Sequence, residues 1–304
     1  MLTLPTLLGQ TALPSAPSDT KPRKRDLRRQ RRQRRRVVQT ALPSAPINFA
    51  MTNDSKKYST KDFWNSRAAS FPRFESGDDT YEARMLRLAR ENGVDFCGKT
   101  VLDVGCGSGM YTIRLAQQAA MVTALDISEE MLRILMQDAA AQGLANIRPV
   151  LSDWQHFAPA ERFQIVFASM TPALTDDAAR EKLHACALEQ VVFMGFTERK
   201  LSDVMAGLYA HYAISPPQFA DAPPMRAWLQ ARNIPHTVLP VDGQWVVPHS
   251  REHLLEACTA NLRARGAEPD VGQVAVHIEA FRNQDGAYVE RTEYSLEMII
   301  WQTS

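Results

Sequence analysis

Cysteine is scarce in this chain: Cys97, Cys106, Cys186 and Cys258 fall among 304 residues with no paired spacing. That excludes a disulfide framework and a clustered thiolate site of the kind metal or arsenic chemistry wants, and it points to a reducing, cytoplasmic setting. Long apolar runs are lacking as well. No uncharged stretch approaches the roughly eighteen residues that a membrane span needs. The short "LTLPTLL" precedes the basic run, where an export signal would follow one. The sequence therefore reads as soluble, with no membrane partner.

Charge is present but unevenly placed. Residues 1–50 hold eleven Lys/Arg and two Asp, whereas the remainder holds 24 Lys/Arg against 32 Asp/Glu, a net of −8. Inside this leader "QTALPSAP" occurs twice, at Gln10–Pro17 and Gln39–Pro46, on either side of "KPRKRDLRRQRRQRRR". Such composition predicts a disordered segment of about fifty residues. Three readings stand for it: upstream sequence translated ahead of a true start at Met51, a basic arm for RNA or DNA, and a targeting peptide. The first is preferred, which sets the working domain at 51–304 and leaves nucleic acid as a partner only through the leader.

From Met51 onward, strand-like and helix-like segments alternate, and 45% apolar residues supply an ordinary core. "TVLDVG", "MVTALDI", "IRPVL", "FQIVFA" and "QVVFMGF" predict parallel strands. Ser128 is placed to cap a helix that buries Leu132, Leu135 and Ala139 and closes at Gly143, while Ile113, Ala116 and Ala120 mark the inner face of the preceding helix. "HTVLPVDGQWVVP" predicts two short strands turning at Asp242–Gly243, and "EYSLEMIIW" a closing strand. The expected fold class is α/β, a Rossmann-like, doubly wound, mostly parallel sheet of seven strands. Residues 214–284 are expected as an inserted lid.

Glycines 105, 107 and 109 follow the first strand in "VLDVGCGSGMYT", with Asp103 two residues ahead. A strand-to-helix turn of this kind lets backbone approach a ligand closely. The nicotinamide fingerprint requires a glycine where Met110 stands, and no Gly-Lys-Ser/Thr follows as a Walker loop would demand. An acid at the turn suits a ligand that carries an ammonium and a sulfonium group and no phosphate, namely S-adenosylmethionine. Asp126 ends the second strand 21 residues after Gly105, where a carboxylate accepts hydrogen bonds from ribose hydroxyls.

With these residues the sequence resembles the class I S-adenosylmethionine-dependent methyltransferases. "VLDVGCGSG" is similar to their first motif, "ALDIS" to their acidic second-strand motif, and "SDW" stands where an acid commonly meets the adenine amino group. The resemblance implies that Gly105, Cys106, Gly107 and Gly109 pass beneath the cofactor and that Asp103 serves its amino group. It also implies Asp126 and Ile127 at the ribose, Asp153 and Trp154 at the adenine, and Ser169 at the end of the fourth strand. Gln164 departs from the acid usual in "FDxV", which affects local packing. "FASMTPAL" lacks the Asn/Asp-Pro-Pro-Tyr/Phe sequence of enzymes that methylate planar amino groups. "KDFWNSRAASF" resembles the leading helix of small-molecule members and brings Trp64, Arg67 and Phe71 forward as substrate-side candidates, together with Thr171; a helix simply packed on the core explains the aromatics equally.

No residue stands out as catalytic, because the sulfonium is already a good leaving group and a protein base is optional. "HSREH" (His249 to His253) matches a zinc pattern, but a helix starting at Ser250 takes His249 off the shared face, so no metal is expected. His211 and Tyr212 read as helix residues near the lid hinge, and Cys106 as a small side chain in a tight turn. The expected activity is methyl transfer from S-adenosylmethionine to a small-molecule acceptor by in-line displacement. An RNA methyltransferase using the leader and a cofactor-binding module without turnover are the alternatives.

Overall fold

The computed structural model describes residues 60–303 apart from 200, 217 and 218. The expectations for the leader, its repeat and Met51 lie outside the described residues. Strands β1 (Thr100–Val104), β2 (Met121–Asp126), β3 (Ile147–Leu151), β4 (Phe163–Ser169) and β5 (Ala187–Arg199) correspond to the five predicted parallel strands. They are joined by β6 (His236–His249) and β7 (Tyr288–Gln302) in one seven-stranded sheet of order β3-β2-β1-β4-β5-β7-β6. Pairing is parallel from β3 through β5, while β7 runs antiparallel to both β5 and β6.

The helices are α1 (Lys61–Arg67), α2 (Tyr81–Glu91), α3 (Met110–Ala116), α4 (Glu129–Ala141), α5 (Asp177–Cys186), α6 (Asp203–His211), α7 (Ala222–Ala231), α8 (Arg251–Ala264) and α9 (Val271–Glu279). Alternation along the central strands sends side chains to both faces, and both are covered, as parallel sheets require. Val101, Ile165, Phe167, Val192 and Met194 pack with α2, α3 and α4. Leu102, Val104, Val166, Ala168 and Phe193 pack on the other side with α5 and α7. The sheet is thereby doubly wound, as the sequence pattern predicts.

Local chemistry fixes the element ends. Ser128 caps α4 by accepting the Met131 N–H at 3.2 Å, and Gly143 follows that helix with φ 69°. Helix α3 stops at Ala116, so Ala119 and not Ala120 is the buried residue beyond it. Gln164, the departure noted above, ties strand starts together: its side chain accepts the Thr100 N–H at 3.0 Å and donates to Glu189 at 2.8 Å.

Two expectations are corrected. The segment 236–249 is not a hairpin but one strand paired with β7 from His236↔Trp301 to His249↔Tyr288. Gly243 does not turn there; it lies under Tyr294, whose Oη would stand 2.2 Å from an added Cβ. Pro240 and Pro248 are accommodated because β6 is the last strand of the sheet, where a missing N–H costs least. The lid expected over 214–284 is likewise not one insertion, since α7 packs on the sheet and β6 belongs to it. What stands apart is a helical cluster of α6, α8 and α9 around Leu208, Tyr209, Leu254, Leu262, Val274 and Ile278.

Candidate functional site

Strand order reverses between β1 and β4, since β2 and β3 continue on one side and β5 on the other. The carboxyl ends of strands beside such a reversal leave a crevice. A cavity of about 310 Å³ opens there, and its lining residues all lie between Trp64 and Thr175. It draws Asp103, Val104, Gly105, Cys106 and Gly107 from β1 and its turn, Met110 and Tyr111 from α3, and Leu125, Asp126 and Ile127 from β2. Ser152, Asp153, Trp154 and Gln155 follow β3; Ser169, Met170, Thr171, Pro172, Ala173 and Thr175 follow β4; Trp64, Phe71 and Met131 close the remaining side.

The glycine turn owes its shape to positive φ angles and close neighbours. Gly105 has φ 71°, and an added Cβ would lie 2.2 Å from Thr171 Oγ1; at Gly107, with φ 55°, it would lie 3.3 Å from the Phe71 ring. Met170 also adopts a positive φ, 49°, while its N–H reaches the Met194 carbonyl at 2.7 Å. A non-glycine residue held in that region marks a segment over-determined by its surroundings, a frequent feature of ligand sites.

Three carboxylates face the cavity. Asp103 is buried and accepts the Thr112 hydroxyl at 2.6 Å. Burial pushes its carboxyl up to about 7, with nearby Asp126 adding to the shift and the Thr112 bond opposing it. Asp126 is also raised by burial, against the N–H groups of Ser128 at 2.9 Å and Gly107 at 2.8 Å that favour its ionised form. Asp153 is more exposed and is held below the usual carboxylate range by the His156 N–H, at 2.8 Å, and by the His156 ring. No lysine, arginine or histidine is among the described residues that line the cavity.

Other polar groups at the site differ in how fully they are engaged. Trp154 donates its Nε1–H to the Ala179 carbonyl at 3.1 Å and stacks on Phe157, so its indole is committed to the core. The Tyr111 and Ser169 hydroxyls, in contrast, are buried beside each other, and the Tyr81 hydroxyl adjoins Tyr111. Helix α1 buries none of its own residues and is held by polar bonds. Asn65 Oδ1 accepts the Ser128 hydroxyl at 2.6 Å, Lys61 pairs with Glu129 at 3.1 Å, and just after the helix the Pro72 carbonyl accepts the Ser108 hydroxyl. This places Trp64 edge-on to Phe71, ring centroids 6.2 Å apart, beside the glycine turn.

Comparison with known proteins agrees with this arrangement. Residues 101–189, which span β1 to the start of β5, match a family described as a methyltransferase domain. That segment is a methyltransferase domain, in keeping with the resemblance to the class I S-adenosylmethionine-dependent methyltransferases. An uncharacterized protein of Haemophilus influenzae is 35% identical over 107 residues, covering 34% of this chain and 40% of that protein. The ubiquinone biosynthesis O-methyltransferase of Coxiella burnetii is 38% identical over 77 residues, 25% of this chain and 32% of that enzyme. These matches thus span less than half the length of either relative. Among solved structures, the YcgJ protein of Bacillus subtilis is 15% identical with a TM-score of 0.46, covering 72% of this chain and 97% of that one.

Within the methyltransferase domain the cavity gathers every cofactor-side residue expected from the sequence except Gly109. Gly109, with φ 92°, begins α3, and an added Cβ would meet Leu135 Cδ1 at 2.2 Å, so its small size serves the packing of α3 on α4. Of the substrate-side candidates, Trp64, Phe71 and Thr171 line the cavity, but Arg67 does not; its guanidinium lies over the Phe63 ring at 5.3 Å. Cys106 lines it as a thiol whose ionisation burial strongly opposes. Sequence reasoning passed over Tyr111, Met131 and Met170, which carry no spacing signal: each looks like an ordinary apolar helix or strand-end residue.

The remaining motifs resolve away from the cavity. Ser250 caps α8 as expected, and His249 Nε2 sits 3.0 Å from buried Glu290 while its ring stacks on His253 at 5.3 Å. His211, the last residue of α6, meets Gln273 at 2.8 Å. No helix among the described residues is long and apolar enough to cross a membrane.

Proposed function

We propose that the chain transfers the methyl group of S-adenosylmethionine to a small-molecule acceptor. One observation carries this reading: Asp103, Asp126 and Asp153 line a cavity to which no cationic side chain among the described residues contributes. A dinucleotide would bring two phosphates with nothing to neutralise them, whereas buried carboxylates gain from a ligand that supplies positive charge. A sulfonium and an ammonium on one adenosyl ligand meet that need. Asp103 would hold the ammonium, Asp126 the ribose hydroxyls, and Asp153 with the backbone at Trp154 the adenine amino edge, while Gly105 and Gly107 leave room for close backbone approach.

When bound, the cofactor supplies an activated methyl group on a neutral leaving group. The chain's own contribution is to orient and to exclude water: Trp64, Phe71, Met131 and Met170 present apolar surface, and the rigid turn after β4 fixes the wall where an acceptor would stand. Positioning and desolvation of this sort supply much of the acceleration in a direct displacement. A small acceptor is supported by the likeness to a ubiquinone biosynthesis O-methyltransferase. It is also supported by "SMTP" at 169–172, where enzymes acting on planar amino groups carry a Pro-Pro-aromatic sequence.

Methyl-labelled S-adenosylmethionine supplied with fractionated cell extract tests the reading. Label is expected in low-molecular-mass material. Label confined to RNA or protein would overturn the acceptor class, and a purified chain that binds NAD and ignores S-adenosylmethionine would overturn the cofactor.

A further inference from the structure

One side of the cavity is built differently from the carboxylates and glycines that suit the cofactor. Helix α1 and the turn after it bring two aromatic rings, Trp64 and Phe71, onto the lining, with Met131 from α4 and Met170 from the turn after β4. Both rings are half-buried and pack on Met131 and Ile134. They meet at 74°, so they make a corner and not a stack. Phe71 stands against the glycine turn, 3.3 Å from where a Cβ on Gly107 would lie. The face of an aromatic ring is negative and attracts a cation, most strongly a substituted ammonium removed from water. Helix α1 already uses this attraction, since the Arg67 guanidinium lies over the Phe63 ring at 5.3 Å.

Charge then selects among nucleophiles. The ionisable groups among the described lining residues are Asp103, Asp126 and Asp153, with the Cys106 thiol and the Tyr111 phenol kept protonated by burial. A thiolate or oxyanion acceptor would bring a further negative charge beside these carboxylates. A neutral alcohol would release a proton on methylation and so remove the positive charge that the sulfonium brought, leaving buried carboxylates less compensated. An amine avoids both. Its nitrogen lone pair forms the new N–C bond while the C–S bond breaks and that electron pair stays on sulfur. No proton moves in this step, and the positive charge passes from sulfur to nitrogen inside the cavity. The amine must arrive without its own proton, which the neighbouring sulfonium favours by like-charge repulsion. "SMTP" at 169–172 stands where enzymes acting on planar amino groups carry a Pro-Pro-aromatic sequence, which points to an aliphatic nitrogen.

We infer that the methyl acceptor is an aliphatic amine and that Trp64 and Phe71 hold the methylated ammonium that it becomes. This rests on the small-molecule methyltransferase reading above and adds to it the attacking atom.

Binding is tested with tetramethylammonium and tert-butyl alcohol, a cation and a neutral molecule of similar size and shape. Each is titrated by ligand-observed NMR against the chain saturated with S-adenosylhomocysteine. The wild type is expected to bind the cation about tenfold more tightly than the alcohol. Trp64→Leu is expected to lose most of that preference and Trp64→Phe, which keeps an aromatic face, to retain part of it. Phe71→Leu repeats the comparison at the second ring, and a circular-dichroism melt checks each fold. Equal affinity for the two probes, binding of neither, or a preference unchanged in both leucine variants would overturn the inference. Product chemistry gives the second test: with deuteromethyl S-adenosylmethionine and cell extract, mass-spectrometric fragmentation is expected to place the label on nitrogen. Label on oxygen, sulfur or carbon of a small molecule would overturn the amine and leave the small-molecule reading standing. Label confined to RNA or protein, no transfer at all, or a chain that binds neither S-adenosylmethionine nor S-adenosylhomocysteine would bring down that reading and the amine with it.

Discussion

Asp103 and Asp126 share one desolvated cavity, yet the backbone treats them differently. Asp126 receives the N–H groups of Gly107 and Ser128, which hold its carboxylate in place, and the residue lines the cavity. A carboxylate holding two ribose hydroxyls contributes substantially even after water competes, so Asp126→Ala is expected to weaken S-adenosylmethionine binding about ten- to a hundredfold, roughly 1.4–2.7 kcal/mol. Calorimetry beside a melt separates that loss from a loosened turn. Asp103 has one hydroxyl partner and a carboxyl pushed up to about 7. Its folded-state value lies above the unfolded one, so the ligand-free protein gives up stability as pH rises toward 7, where the folded carboxyl must ionise at a cost. A cationic ligand reverses this by favouring the carboxylate. Cofactor affinity is therefore expected to rise as pH passes upward through about 7, with proton release on binding measured by calorimetry in two buffers of different ionisation enthalpy. Asp103→Asn should abolish the release; its persistence would assign the proton to another group. Both acids were legible in the sequence because strand ends and glycine turns have recognisable spacing. Tyr111 was not, because the hydroxyl that distinguishes it from a core aromatic leaves no periodic trace.

At the scale of elements, the same three glycines divide into two kinds of work. Gly105 makes room for Thr171 at the cavity wall, whereas Gly109 makes room for Leu135 between α3 and α4. The sequence shows both only as members of one motif, since which neighbour fills the space depends on chains far away. Alanine at either position meets a side chain at 2.2 Å and a positive φ, so each is expected to destabilise by roughly 1–3 kcal/mol or more. The two should part in ligand binding: among molecules still folded at low temperature, Gly105→Ala is expected to lose cofactor affinity and Gly109→Ala to keep it. Equal losses would mean that α3 transmits its packing to the cavity. A similar dependence on distant chain explains β6. Asp-Gly between two apolar runs is a sound hairpin signal in isolation. Here Tyr294 covers Gly243 and fourteen residues of β6 find partners along β7, so pairing across the sheet prevails over the local turn preference. The parallel strands raised no such conflict, because each is short, apolar and followed by its own turn.

For the whole molecule, charge is the property that separates the possible acceptors. Every described residue lining the cavity lies between Trp64 and Thr175, whereas eleven Lys/Arg are concentrated in the first fifty residues of the sequence. The chain from residue 51 onward carries a net of −8, which repels a polyanion. A chain beginning at Met51 is accordingly expected to bind S-adenosylmethionine as tightly as the full chain and to melt at the same temperature. Salt then provides the sharper comparison. Binding through six or more phosphates loses on the order of a thousandfold between about 50 and 200 mM salt, because condensed counterions are released on association. Methyl transfer to a small acceptor has no such term, and its rate with the Met51 form is expected to change by less than about twofold over that range. Two outcomes would oppose the small-molecule reading. One is a truncated chain that loses transfer while keeping cofactor affinity, which would make the basic segment part of acceptor recognition. The other is transfer to RNA by the Met51 form with a steep salt dependence, which would mean that the acidic surface conceals a phosphate-binding path and that acceptor choice is made outside the cavity.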